Sequence, residues 1–109
     1  MTEEEVRTYT TTDFSLIKAS GGKLMEITIS NLTAATIYVK LYNKASAPTV
    51  GTDVPLATIP VVAGGFVCYD FGSVGKQFGL GIALAVTAGA AATDTAAVAA
   101  GAQISTSHI

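Results

Sequence analysis

Tryptophan is absent from this sequence, cysteine and histidine occur once each, and Asp, Glu, Lys and Arg together make up 13% of its 109 residues. The single cysteine, Cys68, excludes an internal disulfide, and with it the small secreted domains stapled by several bridges. A reactive thiolate wants a histidine or a cationic neighbour. Cys68 instead sits in the apolar phrase FVCYD, and the only histidine, His108, lies at a C-terminus expected to fray. Cys68 is therefore expected to be buried and inert. Four aspartates, from Asp13 to Asp94, and one terminal histidine show neither metal-ligand spacing nor a triad pattern. The sequence thus predicts no enzyme chemistry, no metal and no cofactor.

Long apolar runs are also missing. None reaches the roughly 18 to 20 residues that a membrane helix needs, and the N-terminus opens on acids rather than on a basic, signal-like segment. These features predict a soluble, leaderless chain with no membrane partner. Its six Lys and Arg residues are scattered from Arg7 to Lys76 and the net charge is −2, so no basic stripe is available to neutralise a phosphate backbone and no nucleic-acid partner is expected. The charged share lies well below the roughly 25% of ordinary globular chains. Two explanations stand side by side: part of the surface is buried in a partner, or small Ala, Gly and Thr residues cover the outside without forming a sticky patch. A length of 109 residues fits one core rather than two.

What is present is strand-like punctuation. Residues 1–13 carry Glu3, Glu4 and Glu5 with only Val6 and Tyr9 as substantial apolar groups, lack periodicity, and read as an extended N-terminal arm ahead of a single domain over residues 14–109. FSLIKA from Phe14 gives a first strand ended by Ser20, Gly21 and Gly22. From Lys23 to Ser30, Met25, Ile27 and Ile29 alternate with Leu24, Glu26 and Thr28; from Thr36 to Asn43, Ile37, Val39 and Leu41 alternate with Tyr38, Lys40 and Tyr42. The short loop between these two strands predicts an antiparallel hairpin.

The Pro48 and Gly51 segment between Asn43 and Asp53 is long enough to cross between sheets. Over Val54 to Val62, Pro55 and Pro60 remove two ladder donors, which predicts an edge strand. After Gly64 and Gly65, Val67, Tyr69 and Phe71 are better core candidates than Phe66, Cys68 and Asp70. Gly72, Gly75 and Gly79 surround a Lys76 that is followed by Gln77, which fits structural turns and no phosphate loop. Ile82, Leu84 and Val86 alternate with Gly81, Ala83 and Ala85, whose small side chains suit close approach of another sheet or subunit. The Ala-rich segment from Ala88 to Ala102, which includes Val98, reads as a loop with at most one or two helical turns, and Gln103 to Ser107 as a closing strand beside the first ones. Strands and turns at this spacing predict an all-β fold, an antiparallel β-sandwich or compact barrel.

The phrase LYNKASAPTVGTDVPLATIPVVAGG, followed by DFG and by GIALAVTAGAAATDTAAVAAG, resembles small virion accessory proteins of tailed phages, over residues 38 to 104 or so. The resemblance implies a β-sandwich capsid decoration or head-associated protein on the capsid surface, assembled in the host cytoplasm. It carries no catalytic motif. The expected partners are the major capsid protein and further copies of the chain, with a trimer as the expected homo-oligomer. The contact candidates are the arm (Glu3, Glu4, Glu5, Val6, Tyr9), the aromatic face (Tyr38, Tyr42), the proline edge (Pro55, Pro60) and Val98 of the Ala-rich loop. The alternative is a tail, baseplate or host-adhesion module that binds carbohydrate through Tyr38, Tyr42 and Tyr69, although no tryptophan is there to support it.

Overall fold

A computed structural model describes residues 3–9, 14–96, 98 and 101–109, with side chains from residue 16 onward. Among them are nine strands and no helix: β1 (Glu3–Tyr9), β2 (Phe14–Lys18), β3 (Gly22–Asn31), β4 (Ile37–Asn43), β5 (Ala57–Val61), β6 (Phe66–Asp70), β7 (Lys76–Phe78), β8 (Ile82–Thr87) and β9 (Ala102–His108). They form two antiparallel sheets. The first runs β1-β9-β3-β6 with β7 also paired to β3, and the second runs β2-β8-β4-β5. Leu24, Ile27, Ile29, Phe78 and Ile104 of the first sheet share one buried cluster with Ile37, Val39, Leu41, Ile59, Val61, Ile82, Leu84 and Val86 of the second. Burial of these side chains, each contributing about 1.5 to 3 kcal/mol, holds the layers together.

The expected edge strand is β5. Among the described residues it pairs with β4 alone, and Pro60 stands exposed within it, where its missing N–H breaks no ladder to a further described strand. Gly72 and Gly75 take positive φ angles of 73° and 76° in the turns around β7, a three-residue strand that the glycine spacing concealed. β9 closes the first sheet between β1 and β3, as a returning C-terminal strand should. His108, expected to fray, is buried instead, because the strand end is zipped on both sides and Lys23 and Ile109 exchange N–H···O bonds of 3.1 and 2.9 Å.

Three pairing expectations are corrected. β3 and β4 are not a hairpin: β3 belongs to the first sheet and β4 to the second, so the 32–36 loop crosses between layers. The long 44–56 connection does not cross, since β4 and β5 are neighbours in one sheet. On β3 the inward residues are Leu24, Ile27 and Ile29, and Met25 is only half-buried. The register with β9 shifts between Leu24 and Glu26, a bulge that resets the alternation by one residue.

Asn31, at the end of β3, is fully buried and gathers the crossings at one end of the molecule. Its two Nδ2 protons are shared among the carbonyls of Ala35 (2.9 Å), Val61 (2.9 Å) and Val62 (3.1 Å). Its Oδ1 accepts from Thr33 N (3.0 Å) and Thr33 Oγ1 (2.6 Å). Its backbone N–H donates to Gly65 O at 2.9 Å, and the next N–H, of Leu32, donates to Gly101 O at 3.1 Å. The loops β3–β4, β5–β6 and β8–β9, each passing from one sheet to the other, are thereby bonded around one residue.

Asn31→Ala is expected to destabilise the fold by about 3 kcal/mol, because it strands buried carbonyls and a hydroxyl. Asn31→Asp is expected to cost more at neutral pH, since a carboxylate would face three carbonyl oxygens. Its penalty should shrink as pH falls, because the introduced group has a raised folded pKa and becomes an acceptable neutral acid once protonated. Urea unfolding of both variants across pH checks this; equal stability of Asn31→Asp and wild type at pH 7 would contradict it.

Candidate interaction surface

The second face of β4 and β8, expected to be exposed or to contact another subunit, is closed by the chain's own loops. Tyr42, Ala83 and Ala85 form a second buried cluster, with Leu16 and Val50 packed against it. The small side chains of β8 do permit close approach, but what approaches is the 44–53 loop. At Gly81 an added Cβ would meet the carbonyl oxygens of Lys18 and Lys44, so only glycine fits where these segments converge. Asn43 Oδ1 accepts from Leu80 N at 2.9 Å and fixes the entry to β8 from the same side.

Two charged devices hold the loops down. Asp53 Oδ2 accepts from Lys44 Nζ (2.6 Å) and from Thr49 N (2.7 Å), closing the 44–53 loop on itself. The Lys44 hydrogen bond, and then the Thr49 amide, hold the Asp53 carboxyl below its ordinary pKa. Lys40, on the outer face of β4, is fully buried and donates to Ala91 O (2.7 Å) and Asp94 O (3.2 Å) of the Ala-rich loop. Burial pushes its pKa down, and the Asp94 charge partly opposes the shift. Ala88 N donates to Ala96 O at 3.0 Å, and Asp94 Oδ1 accepts from Ala96 N at 2.8 Å, so the loop is pinned at its neck and at Lys40, and its described residues hold a hydrogen-bonded turn at Ala91 to Asp94 but no helix.

The anticipated contact residues do not converge. Glu3, Glu4, Glu5, Val6 and Tyr9 lie along β1 at the margin of the first sheet, and their side chains are outside the described residues. Tyr38 is half-buried on the outer face of the second sheet, opposite Pro60 of β5 and Thr87 of β8. Tyr42 is buried under the 44–53 loop and offers no surface for protein or sugar; alternation placed it outward, but the loop covers that side. Its hydroxyl has no hydrogen-bond partner among the described residues, and burial, with the Asp53 charge, pushes its pKa up. Pro55 is half-buried and Pro60 exposed. Val98 is buried and lines a depression of about 160 Å³ with Thr33, Ala34, Ala35, Thr36, Ile37 and Ala88, so its side chain belongs to the core rather than to a contact surface.

The open apolar surface lies elsewhere, along β5 and β6, where the two sheets present neighbouring margins. An open groove of about 230 Å³ is lined by Leu41, Ala57 and Ile59 from one sheet and by Tyr69, Phe71 and Lys76 from the other side. On or beside these two strands Val54, Leu56, Val62, Phe66 and Tyr69 are exposed, Val54 at 81% and Phe66 at 66%. Cys68 is exposed too, contrary to its apolar neighbours, because it sits on the outer face of β6 with Thr28 Oγ1 at 3.8 Å. Of the three core candidates on this strand, Val67 and Phe71 pack against the core but are only partly covered at the sheet margin, and Tyr69 is exposed rather than buried. The missed signal was the composition of FVCYD, apolar on both faces and bracketed by Gly65 and Gly72.

Among the described residues no three His, Cys, Asp or Glu side chains gather to hold a metal ion, and no helix is long and apolar enough to cross a membrane. No protein-family profile matches the chain, and neither does any curated protein.

Tyr42→Phe is expected to leave stability unchanged or raise it by up to about 1 kcal/mol, because it removes a buried hydroxyl that makes no hydrogen bond. A loss beyond 1 kcal/mol in urea unfolding would show that the hydroxyl does have a partner. For Asp53 the folded pKa lies below the unfolded one. Its contribution is therefore present above the ordinary value of 3.8 and is lost as pH falls through the folded pKa. Asp53→Asn should be less stable than wild type at pH 7, with the gap closing in acid. A gap that stays constant from pH 7 to pH 2 would contradict this.

Proposed function

We propose that this chain is a non-enzymatic structural protein of tailed-phage particles, a decoration protein that binds the outside of a capsid lattice as a homo-oligomer. Its two sheets act as a β-sandwich, residues 1–13 as an arm, and its partners are further copies of itself and the major capsid protein. The observation that carries the reading is the apolar margin of β5 and β6. Val54, Leu56, Val62, Phe66 and Tyr69 are exposed along it in a chain otherwise poor in charge. Large apolar side chains left exposed at a sheet margin in this way suit a protein contact.

The disposition of polar groups supports the same reading. Asn31, Lys40, Asp53 and Asp94 hold loops and crossings in place rather than converging on a groove. Among the described residues β1 is joined to its sheet by one ladder, to β9, which suits an arm that trades one neighbour for another. Burying the margin between subunits would add stability by mass action, and binding across a lattice would clamp adjacent capsomers. The resemblance of residues 38 to 104 to phage accessory proteins supplies the setting, the capsid surface of the virion.

The test is mass spectrometry of purified phage particles. The chain is expected in washed virions in a fixed ratio to the major capsid protein, and to rebind capsids stripped of it. Presence only in infected-cell lysate, with none in particles, would overturn the proposal.

A further inference from the structure

The hydrogen-bond phase of β6 is fixed by its two ends. Asn31 N donates to Gly65 O and Phe71 N donates to Met25 O, both at 2.9 Å, and the ladder between them pairs Ile29 with Val67 and Ile27 with Tyr69. In an antiparallel pair, alternate residues direct both N–H and C=O to the same neighbour. Gly65, Val67, Tyr69 and Phe71 therefore face β3. The backbone groups of Phe66, Cys68 and Asp70 face the opposite way, where β6 has no strand neighbour among the described residues. β5, the corresponding margin of the other sheet, is interrupted by Pro60, whereas β6 has no proline and no lysine. Natural sheet edges are ordinarily blunted by such residues, and on β6 the one charge is Asp70 at the strand's end.

We propose that β6 is a self-association edge, at which two copies pair antiparallel about a two-fold axis through Cys68. This deepens the reading of the chain as a self-assembling structural protein and rests on it. A second copy is the occupant that fits because the edge is complementary to itself. With Cys68 opposite Cys68 of the second copy, Phe66 falls opposite Asp70 and Asp70 opposite Phe66, so all three outward residues of each strand exchange N–H···O bonds. A register shifted along the strand leaves outward groups unpaired. On the core side the same register sets Val67 opposite Tyr69, carrying the apolar interior across the seam and closing the open side of the groove beside Tyr69 and Phe71. Nowhere does it oppose two like charges on β6, and the interface has the isologous form typical of homodimers.

Sedimentation equilibrium of the purified chain, from micromolar to submillimolar concentration, tests the pairing. Wild type is expected at twice its 11.0 kDa mass at the upper end, with a concentration-dependent thermal midpoint. Cys68→Lys adds an edge charge, and Cys68→Pro removes one outward N–H while leaving the bonds to β3 intact; both are expected to be monomers with the wild-type circular dichroism spectrum. If Cys68→Pro fails to fold, Cys68→Lys decides. A short bis-maleimide should link wild-type copies through Cys68, but not copies of a Cys68→Ser, Val74→Cys variant whose thiol sits on an exposed turn outside β6. A monomeric or trimeric wild type, or a dimer that persists in a folded Cys68→Lys variant, would overturn the pairing. A monomer that is nevertheless found in virions would overturn the pairing alone. A β6-dependent dimer absent from virions would overturn only the particle role.

Discussion

The carboxamide of Asn31 is the point on which the layering depends. Two sheets that share a core must be connected by segments whose own backbone groups leave the ladders, and those groups need partners when buried. Asn offers two donors and an acceptor on a short, stiff stem, so one residue can serve carbonyls from two segments and an amide from one of them. At this end of the molecule it bonds the 32–36 loop and the β5–β6 turn, and its neighbour Leu32 bonds Gly101 before β9. Because β5 and β6 are joined there, one on each sheet, the two margins run side by side and the groove opens between them. The position of the groove is thus a consequence of how the crossings are tied.

The charged residues, scarce as they are, serve mainly to hold backbone. Lys40 is an ammonium group placed under a loop, where desolvation disfavours its charge and two carbonyls recover part of the loss. Asp53 folds the 44–53 loop around its carboxylate, and Asp94 caps the chain two residues on. β8 consequently has both faces covered, which accounts for its burial at every position and for small residues on the side that the loops reach. A loop so anchored replaces a partner subunit on that face. Of the two explanations for the low charge content, small residues account for the face under the loops.

Much of the strand content was legible because period-two alternation and Gly or Pro punctuation are local. The strands around Ile27, Val39, Ile59, Leu84 and Ile104 all fall where the pattern put them. The errors have a common origin in non-local contacts. Alternation on β3 was read through a bulge that only its pairing with β9 creates, so Leu24 and Met25 exchanged roles. Tyr42 was assigned to solvent because a strand pattern shows two faces and not what covers them. Cys68 and His108 were misjudged in opposite directions: the apolar neighbours of Cys68 belong to a margin, and the terminal position of His108 belongs to a strand held on both sides.

The sequence by itself determined which segments extend, where they turn, and that Pro60 must stand at an edge, since each follows from steric and hydrogen-bonding properties of residues close in the chain. Only the tertiary structure decided which sheet each strand joins. A five-residue loop after Asn31 is equally able to close a hairpin or to cross between layers, and the choice rests on partners 30 or more residues away, Val61 and Gly65 among them. The same choice decided which surfaces stayed open. The two faces of a strand are local facts, but their covering, by the 44–53 loop at Tyr42 and by no described strand at the outer edge of β6, depends on where the rest of the chain goes.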